Sequence, residues 1–409
     1  MTVVVVALFV AMLAGIVFRP FDVHEAWFTV GCAALMLALG RVEPGAAFAA
    51  IMDARDVLLF LLSLLILAAL LGRSGFFEWS ALHCARPSRS RAQLFRNLFV
   101  LGAVVTAALS LDTTAVMLTP VVLVVARRSN IPAAPLVIAC AVVANVGSLA
   151  FPISNLTNLI IANAFQVSFV AFASHMLVPQ LVALIVAYFV LGFVLRRELV
   201  GEIAVPLPAP RTVVASAGYF NAAIGVLALV LVGYFIAPLL RVEPYAIAFA
   251  GDAILIAFGV VTGRLGARDL REISWGVFPF VIGMFVAMRG VESLGAHGAL
   301  AVVGDHGSPA LVIAASAGVA NLINNLPAAL LVKAALVAGH PPPAMPYAAV
   351  IGLGAGPLVM PFASLATILV IGIARRAGVE IPQRRLILLG LILVPLVLSG
   401  AGLALYVGT

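Results

Sequence analysis

Four short segments hold nearly all the polar side chains that lie inside the apolar stretches of this 409-residue sequence. They read SLDTTA at residues 110–115, NVGSLAFPISNLTN at 145–158, NLINNLP at 321–327 and GLGAGPLVMPFAS at 352–364. Helices interrupted at such points expose N-terminal amides and C-terminal carbonyls, whose partial charges hold an ion or a polar solute. Hydroxyl and amide side chains then orient it. The candidate binding residues are Asp112, Thr113, Thr114, Asn145, Ser154, Asn155, Thr157, Asn158, Asn324, Asn325, Ser364 and Thr367.

Asp112 is the only acid at any of the four interruptions. A charged side chain at the centre of a bilayer costs roughly 2.5 to 3.5 kcal/mol on insertion scales, a cost that usually marks function. Because burial disfavours the charged form, Asp112 would bind a proton in one conformation and release it in another. The sequence therefore predicts a proton-coupling role for Asp112, with a structural cap as the alternative.

Two further charged residues lie outside the interruptions. Asp252 is predicted to be a buried structural residue, paired with Arg289, and a functional acid is the alternative. Lys333, the only lysine, lies roughly 9 to 14 Å beyond the turn at 321–327 along a helix, within reach of the membrane surface. A surface role is therefore expected for Lys333, and a tethered cation that replaces a bound sodium ion is the alternative.

The composition places the whole chain in lipid. Hydrophobic residues make up 64% and charged residues 10% of the sequence, and apolar runs near the 20 or so residues of a membrane-spanning helix recur along it. No hydrophilic block could form a nucleotide-binding or enzymatic domain, so an ion gradient or a partner must supply energy. Cys32, Cys84 and Cys140 lack metal-ligand spacing, and neither a metal nor another cofactor is expected.

About ten spans can be placed by length and charge. They lie near 2–18, 26–40, 57–72, 133–165, 175–195, 219–237, 245–263, 275–290, 344–374 and 386–407. The connections on one side hold Arg19, Arg73, Arg86, Arg89, Arg91, Arg96, Arg127, Arg128, Arg196, Arg197, Arg211, Arg264, Arg268, Arg271, Arg375, Arg376, Arg384 and Arg385, and those on the other hold Arg41, Arg55 and Arg241. The positive-inside rule makes the first side cytoplasmic and puts both termini outside. The net charge of +7 is thus a topology signal and does not indicate nucleic-acid binding.

Two apolar stretches, 98–126 and 310–338, are predicted to be re-entrant helical hairpins, because both ends of each fall on one side of the membrane. Spans 133–165 and 344–374 are predicted to be broken helices, since Pro152, Pro357 and Pro361 interrupt them. The fold class is an all-α polytopic membrane protein of two inverted repeats, 1–197 and 218–409, joined by a cytoplasmic linker at 198–217. We expect the hairpins and broken helices to move as a core against a wall formed by residues 1–72 and 219–290.

The same segments carry a resemblance to a known family. FFEWSALHCAR, SLDTTAVMLTPVV, FPISNLTNLIIANAF, NLINNLPAALL and GLGAGPLVMPFASLATILV resemble the ArsB-type arsenite permeases of the ion transporter superfamily. The resemblance implies inverted repeats with paired hairpins, an inner-membrane location, and export of arsenite or antimonite in exchange for protons, in some cases with a cytoplasmic arsenite-stimulated ATPase. The family commonly has Asn-Asp-Gly where this chain has Leu111-Asp112-Thr113, and it often has an acid, a base and a hydroxyl in the second break that are missing here.

The residues agree with that substrate, because arsenious acid is neutral at physiological pH and needs hydrogen bonds in place of countercharges. A sodium/proton antiporter is the alternative, since an acid beside hydroxyls and free carbonyls suits sodium. A dicarboxylate transporter ranks lower because Asp112 would repel a dianion. An enzyme is not expected, since none of the six histidines lies at the interruptions.

Overall fold

The structure is a computed structural model, and it describes residues 2–18, 23–203, 207–266, 273, 275–295, 298, 307–339 and 341–408. Within these ranges the chain consists of helices and their connections, with one isolated β-bridge between Ser90 and Glu202. Arg19, Arg268, Arg271 and residues 204–206 of the predicted linker lie outside the described residues. The prediction of an all-α fold is confirmed.

Helices of the first half are α1 (Thr2–Phe18), α2 (Glu25–Ala38), α3 (Pro44–Asp53), α4 (Arg55–Arg73), α5 (Phe76–Ala85), α6 (Arg91–Ala108), α7 (Leu111–Thr113), a π-helical turn (Thr114–Leu118), α8 (Thr119–Arg128), α9 (Ala134–Val146), a 3-10 turn (Pro152–Ser154), α10 (Leu156–Ala164) and α11 (Phe169–Val194). Those of the second half are a 3-10 turn (Pro210–Val213), α12 (Ala217–Leu240), α13 (Pro244–Val261), α14 (Val277–Glu292), α15 (Pro309–Ile323), α16 (Asn325–Ala338), α17 (Met345–Ala355), α18 (Leu365–Arg376) and α19 (Gln383–Gly408).

Five of these helices, α4, α11, α12, α13 and α19, are long and apolar enough to cross a membrane. Their outer surfaces carry large apolar side chains such as Phe189, Leu229 and Leu403, each at least 66% exposed. Water would not solvate such a surface favourably, whereas lipid would. The chain is therefore a multi-pass membrane protein, while the number of about ten spans stays a prediction.

The two hairpins have tighter turns than the sequence predicted. In hairpin 1 (α6 to α8) only Leu109 and Ser110 interrupt the helices, and the Ser110 hydroxyl caps α7 by accepting from the Thr113 amide at 3.1 Å. In hairpin 2 (α15 and α16) the interruption is Asn324 alone, with φ of 78°. Positive φ is uncommon in a non-glycine residue.

Both broken helices are interrupted at the places that their prolines indicated in the sequence. The first broken helix (α9 and α10) is non-α-helical from 147 to 155, and the second (α17 and α18) from 356 to 364. Pro152, Pro357 and Pro361 all fall in these breaks. The separate short helix α3 was not predicted; Pro44 begins it at the first helical position, where a missing N–H costs nothing.

The helices form two packed groups. The wall group consists of α1 to α4 and α12 to α14, in which α2 packs on α14 and α4 on α13. The core group consists of the two hairpins and the two broken helices, in which α6 packs on α9, α15 on α17 and α10 on α16. Helices α11 and α19 pack on each other and adjoin the core. Because α14 also packs on α16 of hairpin 2 and α4 on α10, the division into a wall and a moving core stays a prediction, as do the limits of the two repeats.

Candidate functional site

The tip of hairpin 1 is fastened to the first break. The Ser154 hydroxyl donates to the carbonyl of Ala107 at 2.7 Å, and the Thr106 and Thr114 hydroxyls share a hydrogen bond of 2.7 Å. Thr114 is fully buried. Ser154 therefore ties hairpin 1 to the first break, whereas Thr114 joins the two arms of the hairpin, and neither hydroxyl is arranged around an open space.

Asn158 holds the first break in shape. Its amide donates to the Ser148 carbonyl at 2.6 Å and to the Phe151 carbonyl at 3.0 Å. The Phe151 carbonyl also accepts from the Ser154 backbone N–H at 3.2 Å, so Asn158 adds a second donor there and supplies one to Ser148, where an unpaired buried carbonyl would be costly. Asn155 caps α10 by accepting from the Thr157 amide at 3.1 Å. The Thr157 hydroxyl donates to the Asn158 Oδ1 at 3.5 Å.

Hairpin 2 is fastened to the second break in the same manner. The Asn324 amide donates to the Phe362 carbonyl at 2.8 Å, and the backbone N–H of Asn325 donates to the Ala363 carbonyl at 2.8 Å. Asn321, which we had not named as a site residue, accepts from the Met360 amide at 3.0 Å and donates to the Gly356 carbonyl at 2.8 Å. Each hairpin tip is thus bound to the break of its own half.

Asn145 and Thr367 join the two halves. The amide of Asn145 at the end of α9 donates to the Thr367 hydroxyl at the start of α18, at 3.1 Å. The Asn145 Oδ1 and the Ser364 Oγ are buried and have no hydrogen-bond partner among the described residues. Two unpaired polar atoms beside one cross-link between the repeats are what a site for a hydroxylated solute would offer.

The capping positions correct the motif pairing that the sequence suggested. The motifs Ser154-Asn155-Leu156-Thr157 and Ser364-Leu365-Ala366-Thr367 are alike in sequence, and this likeness pairs Ser154 with Ser364 and Thr157 with Thr367. In the structure, however, Asn155 and Ser364 each precede the first residue of a resumed helix. Thr367 is then equivalent to Asn158, so the sequence pairing is wrong by one residue.

Asp112 lies between two cavities. One cavity of about 20 Å³ is shared with Ser110, Thr113 and Asn155 and closed by α4 and the first break. The other, of about 90 Å³, extends from Asp112 along α4 to His24 and Glu25 at the start of α2. Asp112 has no hydrogen bond or ion pair to any residue that the structure describes. Its carboxyl group is therefore available to water, solute or a proton.

The surroundings of Asp112 are poor in basic side chains among the residues that the structure describes. The described residues that line its two cavities include one basic side chain, His24, and no lysine or arginine. Among the described residues, moreover, no group of three or more His, Cys, Asp or Glu side chains could hold a metal ion. The site accordingly suits a neutral solute or a cation better than an anion.

Lys333 lines a third cavity, of about 260 Å³, at the opposite end of the boundary between core and wall. Its other charged lining residues are Asp53, Asp56, Glu243, Arg289 and Glu292. Lys333 therefore faces a polar opening, as the prediction of a surface role required, and it does not line the cavities around Asp112.

The predicted pairing of Asp252 with Arg289 is wrong. Arg289 binds Asp53 at 2.8 Å and Glu292 at 3.3 Å. Asp252 is 2% exposed, and both of its carboxylate oxygens lack a hydrogen-bond partner among the described residues. Arg289 is at the end of α14, where it reaches the short helix α3 that the sequence had not revealed.

Two functional candidates were missed. Gln180 of α11 accepts from the Ala150 amide at 2.7 Å and so supports the first break from outside the core. Glu25 is 6% exposed at the start of α2. In the sequence, Gln180 is recognisable as a lone amide in an apolar span, and Glu25 as an acid at the first position of a span. These two features could have indicated the residues.

Two hairpins and two broken helices that meet at a polar centre inside an apolar bundle define a membrane transporter, since buried non-helical backbone at membrane depth is tolerated where it lines a binding site. Residues 4–372 match the profile of the family described as "Citrate transporter", which covers most of the chain. The chain belongs to this family, and within it to the ArsB-type permeases.

Curated relatives agree with this assignment. An "Arsenical pump membrane protein" of Yersinia enterocolitica is 30% identical over 387 residues, with 89% of each chain covered. A protein of the same name from Escherichia coli K12 is 29% identical over 384 residues, again with 89% of each chain covered.

Solved structures show the same fold. The YdaH transporter of Alcanivorax borkumensis superimposes with a TM-score of 0.56 at 18% identity, over 88% of this chain and 86% of that one. MtrF of Neisseria gonorrhoeae superimposes with a TM-score of 0.53 at 14% identity, over 91% and 83%.

Proposed function

We propose that this chain is a secondary active transporter of the inner membrane that exports arsenite, and antimonite by the same chemistry, in exchange for protons. The observation that carries the proposal is the setting of Asp112. One acid without a side-chain partner adjoins hydroxyl and amide groups in a space whose described lining contains no lysine or arginine. Arsenious acid is neutral and offers three hydroxyl groups, so it can donate to carboxylate and amide oxygens and accept from amide N–H groups.

The small size of the cavity fits an alternating cycle. A space of about 20 Å³ next to Asn155 holds about one water molecule. Arsenious acid is larger, so hairpin 1 must shift relative to α4 before the solute reaches Asn155 and Thr113. In the cycle we propose, the loaded carrier has Asp112 ionised, and the returning carrier has it protonated. Binding of a proton and binding of arsenite then exclude each other, which is the requirement for exchange.

Citrate, after which the family profile is described, suits this site less well. A multiply charged anion beside Asp112 would be repelled, and the described lining offers no lysine or arginine to offset that charge. Sodium/proton exchange is the second candidate. It is favoured by the oxygen atoms of Ser110, Thr113 and Asn155 around Asp112, since sodium prefers such ligands.

The test is uptake into everted membrane vesicles from cells that express the chain. Respiration acidifies the lumen, and arsenite, antimonite, sodium and citrate are offered in parallel. We expect arsenite and antimonite to accumulate and an uncoupler to abolish the accumulation. Sodium-driven lumen alkalinisation without arsenite uptake would establish the second candidate instead. The vesicles contain no added ATPase, so this assay also separates proton exchange from a requirement for the arsenite-stimulated ATPase that the resemblance implies.

A further inference from the structure

The 90 Å³ cavity that begins at Asp112 ends at two titratable side chains of the wall. Glu25 and His24 line its far end, and Leu65, Val116 and Val277 are among the apolar residues between. The space is large enough for several water molecules. Water in an apolar passage keeps its hydrogen bonds mainly to other water and to the polar groups at the ends. Water that fills the passage would join Asp112 to Glu25, which line the same cavity.

The chain around Glu25 holds its carboxyl group in place. Glu25 is the first residue of α2, where the helix dipole favours a negative charge. His24 caps the same helix, because its Nδ1 accepts from the Ala26 amide at 3.2 Å. That bond leaves the proton of the neutral imidazole on Nε2, which is 4.0 Å from Glu25 Oε1. The His24 side chain is 51% exposed, whereas the Glu25 side chain is 7% exposed.

Gly276 permits this arrangement. A Cβ at Gly276 would lie 2.4 Å from the His24 ring, so only glycine allows the imidazole to approach the start of α14 so closely. The exposed imidazole, the buried carboxyl group and the cavity follow one another from the surface toward the site.

We propose that Glu25 is the proton relay between Asp112 and the surface at which α2 begins, with His24 as its positioning residue. This step rests on the proposed proton exchange. When arsenite binds from that side, the Asp112 carboxyl group gives its proton to cavity water, and the Glu25 carboxylate takes up a proton from that water. Glu25 then releases the proton to solvent beside His24. One proton leaves Asp112 and one enters solvent, so the charges balance.

The other titratable groups around the relay are few. Among the described residues that line the cavity, α4 contributes Leu65 and Ala68 and α14 contributes Val277, none of which titrates. Hairpin 1 contributes Asp112 as its only titratable group, and α18 contributes Leu369. Among the described lining residues, the groups that can carry a proton along this passage are therefore Asp112, Glu25 and His24.

The experiment compares two modes of transport by the purified full-length chain in proteoliposomes. Arsenite/arsenite exchange moves only the loaded carrier and needs no proton transfer, whereas accumulation against a pH gradient needs a proton at every cycle. For Glu25→Gln we expect exchange close to that of the unchanged protein and proton-driven accumulation slower by about tenfold or more. Glu25→Asp should restore part of the accumulation rate. Glu78→Gln, which changes an exposed acid in the first turn of α5, is the matched control.

His24→Asn separates positioning from capping, because asparagine keeps an acceptor for the Ala26 amide and lacks the ring. We expect normal exchange and a slower proton-driven rate with an altered pH profile. The relay is wrong if Glu25→Gln accumulates arsenite at the unchanged rate. It is also wrong if this variant loses exchange and accumulation together, because Glu25 would then serve binding or folding. Absence of arsenite transport by the unchanged protein in either mode would instead refute the proposed function.

Discussion

The Asn145 amide donates to the Thr367 hydroxyl across 3.1 Å, although 222 positions separate the two residues in the chain. Each side chain adjoins a break in a membrane-embedded helix, one in α9 and α10 and the other in α17 and α18. The bond therefore ties one broken helix to the other at the centre of the core. Movement of either break relative to the other must break this bond.

Thr367→Val tests the bond between the breaks. The valine keeps the shape and removes the acceptor, so Asn145 retains only its own-helix bond to the Ala141 carbonyl at 2.9 Å. We expect a loss of about 1 kcal/mol in unfolding free energy and a loss of most arsenite transport. Thermal unfolding in detergent and vesicle uptake measure the two effects. The control is Thr262→Val, whose exposed hydroxyl bonds within its own helix at 2.7 Å.

Asp112→Asn tests proton coupling. The amide keeps the shape of the carboxyl group and cannot titrate, so we expect normal folding and complete loss of arsenite accumulation driven by a pH gradient. Uptake by everted vesicles at several lumen pH values measures the effect. Glu380→Gln, at an exposed acid, should behave as the unchanged protein. If the Asp112 variant kept its pH-dependent uptake, another group would have to carry the proton.

Gly390→Ala tests the support of the second break. A Cβ at Gly390 would lie 2.2 Å from the carbonyl oxygen of Leu358, so the methyl group must displace the break. We expect a loss of about 1 to 3 kcal/mol in stability and impaired transport. Gly372→Ala is the matched control in a neighbouring helix, because its Cβ would meet nothing within 4 Å. That variant should be as stable as the unchanged protein or more stable by up to about 1 kcal/mol.

Cysteine labelling tests the orientation. Arg127 donates to the carbonyl of Ala377, which follows the Arg375–Arg376 pair, so these arginines share one side of the molecule. In a chain without Cys32, Cys84 and Cys140, Arg127→Cys and Arg375→Cys should react with an impermeant reagent only after the cells are permeabilised. Arg55→Cys and Arg241→Cys should react in intact cells. Reversed labelling would place both termini in the cytoplasm.

A cross-link between core and wall tests the motion. Thr114 is unsuitable for it, since this side chain is fully buried and bonded to Thr106. Leu65 of α4 and Val116 of hairpin 1 line the same cavity from opposite groups. Oxidation of Leu65→Cys/Val116→Cys should stop transport while arsenite still binds, and reduction should restore transport. Each single cysteine variant is the control. Full transport by the cross-linked protein would mean that the core need not move past the wall.

The sequence by itself determined where the helices break. Proline removes a backbone donor wherever it stands, and polar residues in an apolar run need partners, so Pro152, Pro357 and Asp112 indicated the breaks and the centre without knowledge of the packing. These signals depend only on the residue itself and its neighbours along the chain. The predictions of two hairpins and two broken helices followed from them.

Only the tertiary structure decided which partner each polar group has. Asn158 and Asn324 were named as solute ligands, yet their amides are bonded to backbone carbonyls of the breaks. Arg289 forms an ion pair with Asp53 and not with Asp252. Glu25 lines the same cavity as Asp112, although 87 positions separate the two residues in the chain. Hydrogen bonds and ion pairs act over a few ångströms, so they depend on how distant segments pack, and a pattern along one chain does not contain those distances.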